Sequence, residues 1–173
     1  FSRKGQILVE KGKIDEDKLL SAALDAGVSR VVHTSTSEVY GTAQFTPITE
    51  EHPLRGQSPY AASKTSADMM AEAFARSFDL PVVTLRPFNT YGPRQSERAV
   101  IGTILRQALD DACTEIRLGD LSPSRDFCFV ADTVNAFIAV AELGPSSVGQ
   151  AYNAGTGKGI TIGDLVETIK DVT

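Results

Sequence analysis

Apolar and polar residues follow one another along the chain in blocks that predict alternating strands and helices. Short apolar runs predict buried strands at residues 28–33, 81–86 and 151–154. Apolar residues at helical spacing predict helices over about 15–27, 59–78, 99–109, 131–143 and 162–172. Because a helix crosses between successive strands, we expect the strands to be parallel. The pattern therefore predicts an α/β fold with a mainly parallel sheet.

Turn-forming residues mark the ends of these elements. Asp15 is placed to cap the first helix, and Gly27 is placed to end it. Residues 41–57 are rich in Gly, Thr, Pro and Glu, which predicts a long surface loop over a site. Residues 87–93 predict a rigid loop. Three further short strands are predicted at 6–10, 115–118 and 125–130, and a turn at 155–159.

The composition is that of an ordinary soluble domain. The 173 residues suffice for one domain with a real core, and 42% of them are hydrophobic. The net charge of −5 disfavours a nucleic-acid-binding surface. No run of 18 apolar residues predicts a membrane span, and the first residues lack the apolar core of a signal peptide. We therefore expect a cytoplasmic protein with no membrane or nucleic-acid partner.

The cysteines and histidines predict packing rather than chemistry. Two cysteines, Cys113 and Cys128, favour a reduced compartment. Neither has Cys or His at zinc-ligand spacing, so no metal site is expected. Cys128 lies in an apolar run, and His33 lies in a predicted strand. We expect both side chains in the core.

A hydroxyl-rich turn and a tyrosine–lysine pair are the candidate chemistry of the chain. Residues 34–38 read Thr-Ser-Thr-Ser-Glu and follow a predicted strand, while Tyr60 and Lys64 share one face of a predicted helix. An ammonium beside a phenol favours the phenolate, which can exchange a proton with a sugar hydroxyl. Alone, each motif could be a solvated strand end or an ordinary helix face. Their joint occurrence favours an acid–base site.

Four motifs in this order resemble the extended short-chain dehydrogenase/reductase superfamily. They are Thr-Ser-Thr-Ser-Glu-Val-Tyr-Gly at 34–41, Tyr-Ala-Ala-Ser-Lys at 60–64, Arg-Pro-Phe-Asn-Thr-Tyr-Gly-Pro-Arg at 86–94 and Arg-Asp-Phe at 125–127. They most resemble the nucleotide-sugar 4,6-dehydratase branch, including UDP-N-acetylglucosamine 4,6-dehydratases of the legionaminic acid type. The resemblance covers about residues 22–173. It implies a nucleotide-sugar substrate, NAD rather than NADP as cofactor, and the C-terminal half of a Rossmann-like fold with a small substrate-binding α/β portion.

The resemblance implies catalytic roles for five residues. Thr36 would hydrogen-bond the sugar 4-hydroxyl, Tyr60 would be the catalytic base, and Lys64 would support Tyr60 and hold the nicotinamide ribose. Glu38 matches the base that takes the C5 proton. Ser37 stands where many members carry the Asp that protonates the departing 6-hydroxyl, which leaves the acid open. Plain 4-epimerases usually lack the glutamate, whereas UDP-glucuronate decarboxylases share the Thr-Ser-Glu triplet.

The resemblance also implies binding residues. The backbone near Pro87 would lie by the nicotinamide, Asn89 would contact the nucleotide sugar, and Arg125 would pair with the substrate diphosphate, which suits its planar fork. Arg94 is a weaker candidate for the same anion. The alternatives are that Asn89 only caps a turn and that Arg125 forms a surface ion pair with the aspartate at 126 or 132. In this family the helix that carries Tyr60 often forms a homodimer.

The chain departs from the family pattern near its N-terminus. A member should carry a strand followed by Gly-x-x-Gly-x-x-Gly, whose amides bind the cofactor pyrophosphate, and the sequence contains no such motif. Residues 1–27 resemble YebC-type regulators instead. We therefore predict a chimera: a βα unit of a different family at 1–27, the catalytic half of the Rossmann-like domain at 28–98 and the substrate-binding portion at 99–173. The alternative is a divergent βα unit of the enzyme itself.

Three functional hypotheses follow from the sequence. The first is the catalytic half of an NAD-dependent UDP-N-acetylglucosamine-type 4,6-dehydratase, truncated and weakly active alone. The second is an epimerase or UDP-glucuronate decarboxylase of the same family. The third is a non-enzymatic, recombined α/β scaffold that keeps nucleotide-sugar binding.

Overall fold

The computed structural model describes residues 15–172. Its helices are α1 (Glu16–Asp25), α2 (Pro59–Phe78), α3 (Val100–Ala108), α4 (Val130–Ala141) and α5 (Ile162–Lys170). Its strands are β1 (Val31–Thr34), β2 (Val82–Pro87), β3 (Asn89–Tyr91), β4 (Ser124–Arg125), β5 (Phe127–Phe129), β6 (Ala151–Ala154) and β7 (Ile160–Thr161). Short 3-10 helices span Ser37–Tyr40 and Pro145–Ser147. The predicted α/β class with a parallel sheet is confirmed.

The central sheet has the strand order β1-β2-β6, and both pairings are parallel. Thr34 at the end of β1 is level with Leu85, and Pro87 at the end of β2 is level with Ala154 of β6. The three strands therefore end at one edge of the sheet. Ligands of open α/β sheets bind at this carboxyl edge, where the segments after the strands meet.

Strand β2 is buried on both of its faces. Val82 packs in a cluster with α1 and α2, whereas the next residue, Val83, and Leu85 pack in a second cluster with α4 and β6. Because successive side chains of a strand point to opposite faces, α2 and α4 cover opposite sides of the sheet. A third cluster joins α3 to α5. The near-continuous burial of β2 is typical of a central parallel strand.

Helix α2 begins and ends on clear local signals. The Ser58 hydroxyl accepts a hydrogen bond from the Ala61 amide at 3.0 Å, and Pro59 occupies the first turn, where its missing N–H costs nothing. The helix ends at Asp79, which takes a left-handed conformation with φ of 55°. These signals make α2 twenty residues long, as predicted.

Several predicted elements differ from those observed. The strand predicted at 28–33 begins later, at Val31, and the loop predicted at 87–93 contains β3. The strand predicted at 125–130 is divided into β4 and β5, because the Asp126 carboxylate turns aside to bind the 156–157 turn. The strand predicted at 6–10 lies outside the described residues.

No strand forms at 115–118 in the described structure. The side chain of Gln107 pairs with the backbone there instead. Its amide oxygen accepts from the Arg117 N–H at 2.8 Å, and its amide nitrogen donates to the Arg117 carbonyl at 3.2 Å. A side chain thus takes the place that a neighbouring strand would fill.

Two glycines with positive φ offer a matched pair of substitutions. A Cβ on Gly41 would lie 2.1 Å from the Arg55 carbonyl oxygen, and its φ is +67°. Gly27 has φ of +58° and no atom within 4 Å of its Cβ position. We expect Gly41→Ala to lower the free energy of unfolding by about 3 kcal/mol, from backbone strain plus the clash. Gly27→Ala should cost about 1 kcal/mol from strain alone. Urea denaturation measures both; equal losses would show that the Gly41 contact relaxes freely.

Candidate active site

The turn after β1 presents three predicted catalytic residues to one cleft. The Thr36 hydroxyl caps the 3-10 helix by accepting from the Glu38 amide at 3.3 Å, and the Gly41 amide closes the turn on the Glu38 carbonyl at 3.1 Å. Thr36, Ser37 and Glu38 line a cleft of about 340 Å³. The local capping chemistry therefore directs a hydroxyl pair and a carboxylate to the carboxyl edge of the sheet.

Asn89 lies across this cleft from the turn. It follows β2 and lines the same cleft, together with Phe88, Phe127 and the first residues of α3. Its backbone and side-chain nitrogens both donate to the Asp126 carbonyl, at 3.1 and 3.2 Å. The predicted sugar-contacting residue thus shares a cleft with the predicted acid–base residues, and β5 holds it there.

Arg125 lines a second cleft of about 260 Å³. This cleft adjoins the first, because Asn89, Val100 and Phe127 line both. Asp120 lines it as well, and one Arg125 nitrogen donates to the Ser124 carbonyl at 2.9 Å. The guanidinium is exposed, so most of its donors face solvent.

The alternative surface ion pair of Arg125 is not formed. Among the ion pairs of residues 15–172, none joins Arg125 to Asp126 or Asp132. The Asp126 carboxylate instead accepts from the Thr156 hydroxyl at 2.6 Å and from the Gly157 amide at 2.8 Å. Arg125 therefore lines the second cleft, whereas the next residue, Asp126, binds the 156–157 turn.

The tyrosine–lysine pair lies beside the turn and outside both clefts. The Lys64 ammonium donates to the Thr34 carbonyl at 2.6 Å, which ties α2 to the end of β1. Tyr60 is 52% exposed. Pro87 ends β2, and Arg94 is exposed in the following loop with φ of +66°. Neither Pro87 nor Arg94 lines either cleft.

A buried polar network, which the sequence did not predict, lies beneath the turn. Asp68 of α2 accepts from His33 at 3.0 Å and from the Arg86 Nε at 2.9 Å, and the three side chains are at most 8% exposed. The second His33 nitrogen faces Glu16 of α1 at 2.8 Å. Only the placement of His33 in the core was predicted correctly. An arginine near the end of an apolar strand was the available signal, because a buried guanidinium needs a carboxylate partner.

The network holds Asp68 as a carboxylate. Burial alone would raise the pKa of Asp68, but hydrogen bonds from His33 and Arg86, and the positive charge of Arg86, outweigh it. The pKa of Asp68 therefore lies below its ordinary value of 3.8. The negative charge in turn supports the buried guanidinium of Arg86.

The network continues from Arg86 to Tyr40 and Asn153. Arg86 donates to the Tyr40 hydroxyl at 2.9 Å, and that hydroxyl donates to the Asn153 side-chain oxygen at 2.7 Å. Tyr40 is the last residue of the 3-10 helix that begins at Ser37. The same network thus reaches from the outer helix α1 to the turn that lines the cleft.

Residues 16–172 match the family described as GDP-mannose 4,6 dehydratase. This chain belongs to the nucleotide-sugar epimerase/dehydratase family. A UDP-glucose 4-epimerase of Mycolicibacterium smegmatis is 40% identical over 143 residues, which cover 81% of this chain and 45% of that protein. The predicted resemblance to NAD-dependent epimerases and dehydratases is therefore confirmed at the level of the family.

Solved structures of relatives share the fold of this family member. A dTDP-glucose 4,6-dehydratase from Bacillus anthracis, in complex with NAD, has a TM-score of 0.83 and 35% identity, covering 91% of this chain and 50% of that one. A UDP-glucuronic acid 4-epimerase from Bacillus cereus, in complex with UDP-glucuronic acid and NAD, has a TM-score of 0.82 and 27% identity, covering 91% and 49%. The Rossmann-like fold class is confirmed.

The extent of the match bears on the predicted domain boundaries. The chain spans about half the length of the curated relatives it matches. The family match begins at Glu16, so α1 lies within it, whereas the sequence resemblance predicted a start near residue 22. The origin of residues 1–27 in another family stays a prediction, since residues 1–14 lie outside the described part. No helix within residues 15–172 is long and apolar enough to cross a membrane.

Proposed function

We propose that this chain is the catalytic and sugar-binding part of an NAD-dependent nucleotide-sugar 4,6-dehydratase. The observation that carries the proposal is the cleft shared by Thr36, Glu38 and Asn89, with Lys64 bonded to the strand end that leads into it. A carboxylate with hydroxyls at the carboxyl edge of a parallel sheet can move protons on a bound sugar. The family membership supports this class of reaction.

The proposed reaction removes water across C5 and C6 of the sugar. Thr36 binds the 4-hydroxyl while Tyr60 takes its proton as general base. Glu38 then takes the C5 proton while the 6-hydroxyl, hydrogen-bonded by Ser37, leaves as water with one proton drawn from solvent. Glu38 returns its proton to C5 when C6 is reduced, and Tyr60 releases the proton it took, so the net change is the loss of one water. NAD, when bound, supplies reversible hydride transfer, so that the sugar is oxidised at C4 before elimination and reduced at C6 afterwards. The product is a 4-keto-6-deoxy sugar nucleotide.

The described residues fit the nicotinamide end of the cofactor. The Lys64 ammonium has three donors and spends one on Thr34, which leaves two for ribose hydroxyls. The backbone at Pro87 lies at the carboxyl edge of the sheet, and the exposed Tyr60 lies in the first turn of α2, the helix that Lys64 ties to the end of β1. In residues 15–172 no Gly-x-x-Gly-x-x-Gly loop is present for the pyrophosphate, so the proposal assigns only this end of the cofactor to the described chain.

UDP-N-acetylglucosamine is the substrate we propose first. Incubating the chain with NAD⁺ and this sugar nucleotide, in parallel with dTDP-glucose, tests the proposal by mass spectrometry. We expect slow formation of a 4-keto-6-deoxy product, lighter than the substrate by one water. Absence of both binding and product with either sugar nucleotide would contradict the proposal.

A 4-epimerase is the second candidate function. The 40% identity to a UDP-glucose 4-epimerase favours it, as does serine at the position where a stronger acid is expected. An epimerase inverts C4 without loss of water. A product of unchanged mass, identified as the C4 epimer by NMR, would therefore favour this candidate over the dehydratase.

Arg125 is proposed to bind the substrate diphosphate, with Arg94 as a weaker second contact. We expect Arg125→Ala to weaken binding of UDP-N-acetylglucosamine at least about tenfold, because a charge-assisted pair contributes about 1.5–3 kcal/mol. Isothermal titration calorimetry measures the loss. Arg76→Ala is the control, since Arg76 is exposed on α2 and paired with Glu72. Equal affinities of Arg125→Ala and wild type would remove Arg125 from the site.

A homodimer through α2 is also part of the proposal. The helix exposes Met69, which is 63% exposed, and the adjoining Met70, which is 38% exposed. Exposed apolar side chains on one long helix are typical of a surface that packs against another helix. Sedimentation velocity of wild type and Met69→Lys would test whether this face joins two copies.

A further inference from the structure

We propose that Tyr40 is a positioning residue for the Thr36–Glu38 turn. Its hydroxyl, held between Arg86 and Asn153, fixes the turn at the edge of the cleft and couples it to the 42–57 loop. Tyr40 touches neither cleft. It acts through the backbone of the turn that it ends, and the inference rests on the proposed function only for its effect on the sugar.

The surroundings of Tyr40 leave its side chain a single position. The residue is fully buried, and its hydroxyl both accepts from Arg86 and donates to Asn153. The Arg86 guanidinium also lies 5.2 Å from the ring centroid, and His52 packs against the ring at 5.5 Å in an edge arrangement. Burial raises the pKa of Tyr40 above 10, so the phenol keeps the proton that Asn153 accepts.

The turn depends on this anchored residue. One of its backbone bonds is long: the Val39 amide reaches the Thr36 carbonyl at 3.4 Å, whereas the Gly41 amide reaches the Glu38 carbonyl at 3.1 Å. A 3-10 helix of four residues has poor hydrogen-bond geometry and little stability of its own. The direction of Glu38 into the cleft is therefore set by the tertiary anchor at the end of the turn.

The same anchor reaches the 42–57 loop. The Asn153 side-chain nitrogen donates to the Ile48 carbonyl at 3.1 Å, and its backbone amide donates to the Glu50 carboxylate at 2.7 Å. The Arg55 amide also donates to the Val39 carbonyl at 2.9 Å. Loop and turn thus share Asn153 as a hydrogen-bond partner, so a change at the Tyr40 hydroxyl acts on both.

The Tyr40 hydroxyl restricts the turn to one position more strictly than an apolar ring would. Phenylalanine would fill the same volume, and a buried hydroxyl must be fully hydrogen-bonded to avoid a penalty. The hydroxyl, by contrast, keeps its bonds to Arg86 and Asn153 only when the turn holds one position relative to β2 and β6. Buried polar groups with every partner present select one arrangement among several of similar packing.

Tyr40→Phe tests the proposal through amide hydrogen exchange. We expect exchange at Val39, Gly41 and Arg55 to accelerate about tenfold more than exchange in β2, because the loss of the anchor opens the turn locally. Tyr152→Phe is the matched control: Tyr152 lies on β6, and its hydroxyl makes no hydrogen bond among the described residues. It should change neither region. Equal acceleration in the turn and in β2, or none in the turn, would overturn the proposal.

Calorimetry with UDP-N-acetylglucosamine and with UDP measures how Tyr40→Phe changes binding of the sugar. In Tyr40→Phe we expect the extra affinity due to the sugar to fall about tenfold, with UDP binding unchanged, because Thr36 faces the sugar and Arg125 the diphosphate. If the ratio of the affinity for UDP-N-acetylglucosamine to the affinity for UDP equals that of wild type, the proposal is overturned. If wild type binds neither ligand, the proposed function has failed, and the exchange experiment alone decides the role of Tyr40.

Discussion

Replacing Asp68 by asparagine is expected to lower the free energy of unfolding at neutral pH by about 3–5 kcal/mol. The substitution keeps the shape of the side chain and removes its charge. Arg86 and His33 would then lose the carboxylate that binds both at 2.9–3.0 Å in a site where all three side chains are at most 8% exposed. Few single substitutions cost this much, because few leave a buried guanidinium without its counter-charge. Urea denaturation of both proteins measures the difference.

The pH dependence of this loss has a definite sign. The folded-state pKa of Asp68 lies below 3.8, so the charged form is favoured by folding. Its stabilising effect is fully present above pH 3.8 and is lost as the pH falls through the folded pKa. The stability curves of wild type and Asp68→Asn should therefore converge in acid. Glu72→Gln, which breaks an exposed ion pair of the same helix, should cost less than about 1 kcal/mol. A loss as small in Asp68→Asn would show that the buried pair is dispensable.

Replacing Glu38 by glutamine is expected to reduce formation of the 4-keto-6-deoxy product by about 10²–10⁴-fold. The amide has nearly the same size as the carboxylate but cannot take the C5 proton. Because Glu38 lines the cleft without bonding Arg125, the proposed ligand of the diphosphate, substrate affinity should stay within about threefold of wild type by calorimetry. The measurement is product formation with NAD⁺ and the accepted sugar nucleotide.

Glu51→Gln is the matched control for Glu38→Gln. Glu51 is exposed in the 42–57 loop, lines neither cleft and makes no ion pair among residues 15–172. Its replacement should leave product formation unchanged. Full activity of Glu38→Gln would contradict its role as the base. Loss of affinity in parallel with activity would mean that Glu38 holds the substrate rather than moving a proton.

The main elements of the fold could be predicted because their signals are local. Apolar runs predicted the central strands, and Ser58-Pro59 predicted the start of α2 within a residue. The strand predicted at 115–118 was wrong because a glutamine from α3 occupies the backbone groups of Arg117. Such a pairing depends on tertiary placement, which no window of sequence contains.

The candidate site was predictable only in part. Thr36, Glu38 and Asn89 follow strand ends, so a parallel sheet brings them to one edge whatever the details. The network of Asp68, Arg86 and Tyr40 was not predicted, although each residue is plain in the sequence. Its members lie on α2, β2 and the 3-10 helix, and only the tertiary packing of these elements brings them together.

The two clefts meet at Asn89 but draw their remaining polar groups from different stretches of chain. The turn after β1 lines one, and the segment from Gly119 to Arg125 lines the other. Under the proposed roles, the reacting groups and the nucleotide-binding groups therefore lie on separate segments of the chain. Exchange of the 119–125 segment between relatives is then expected to change the nucleotide sugar that is bound without changing the reaction.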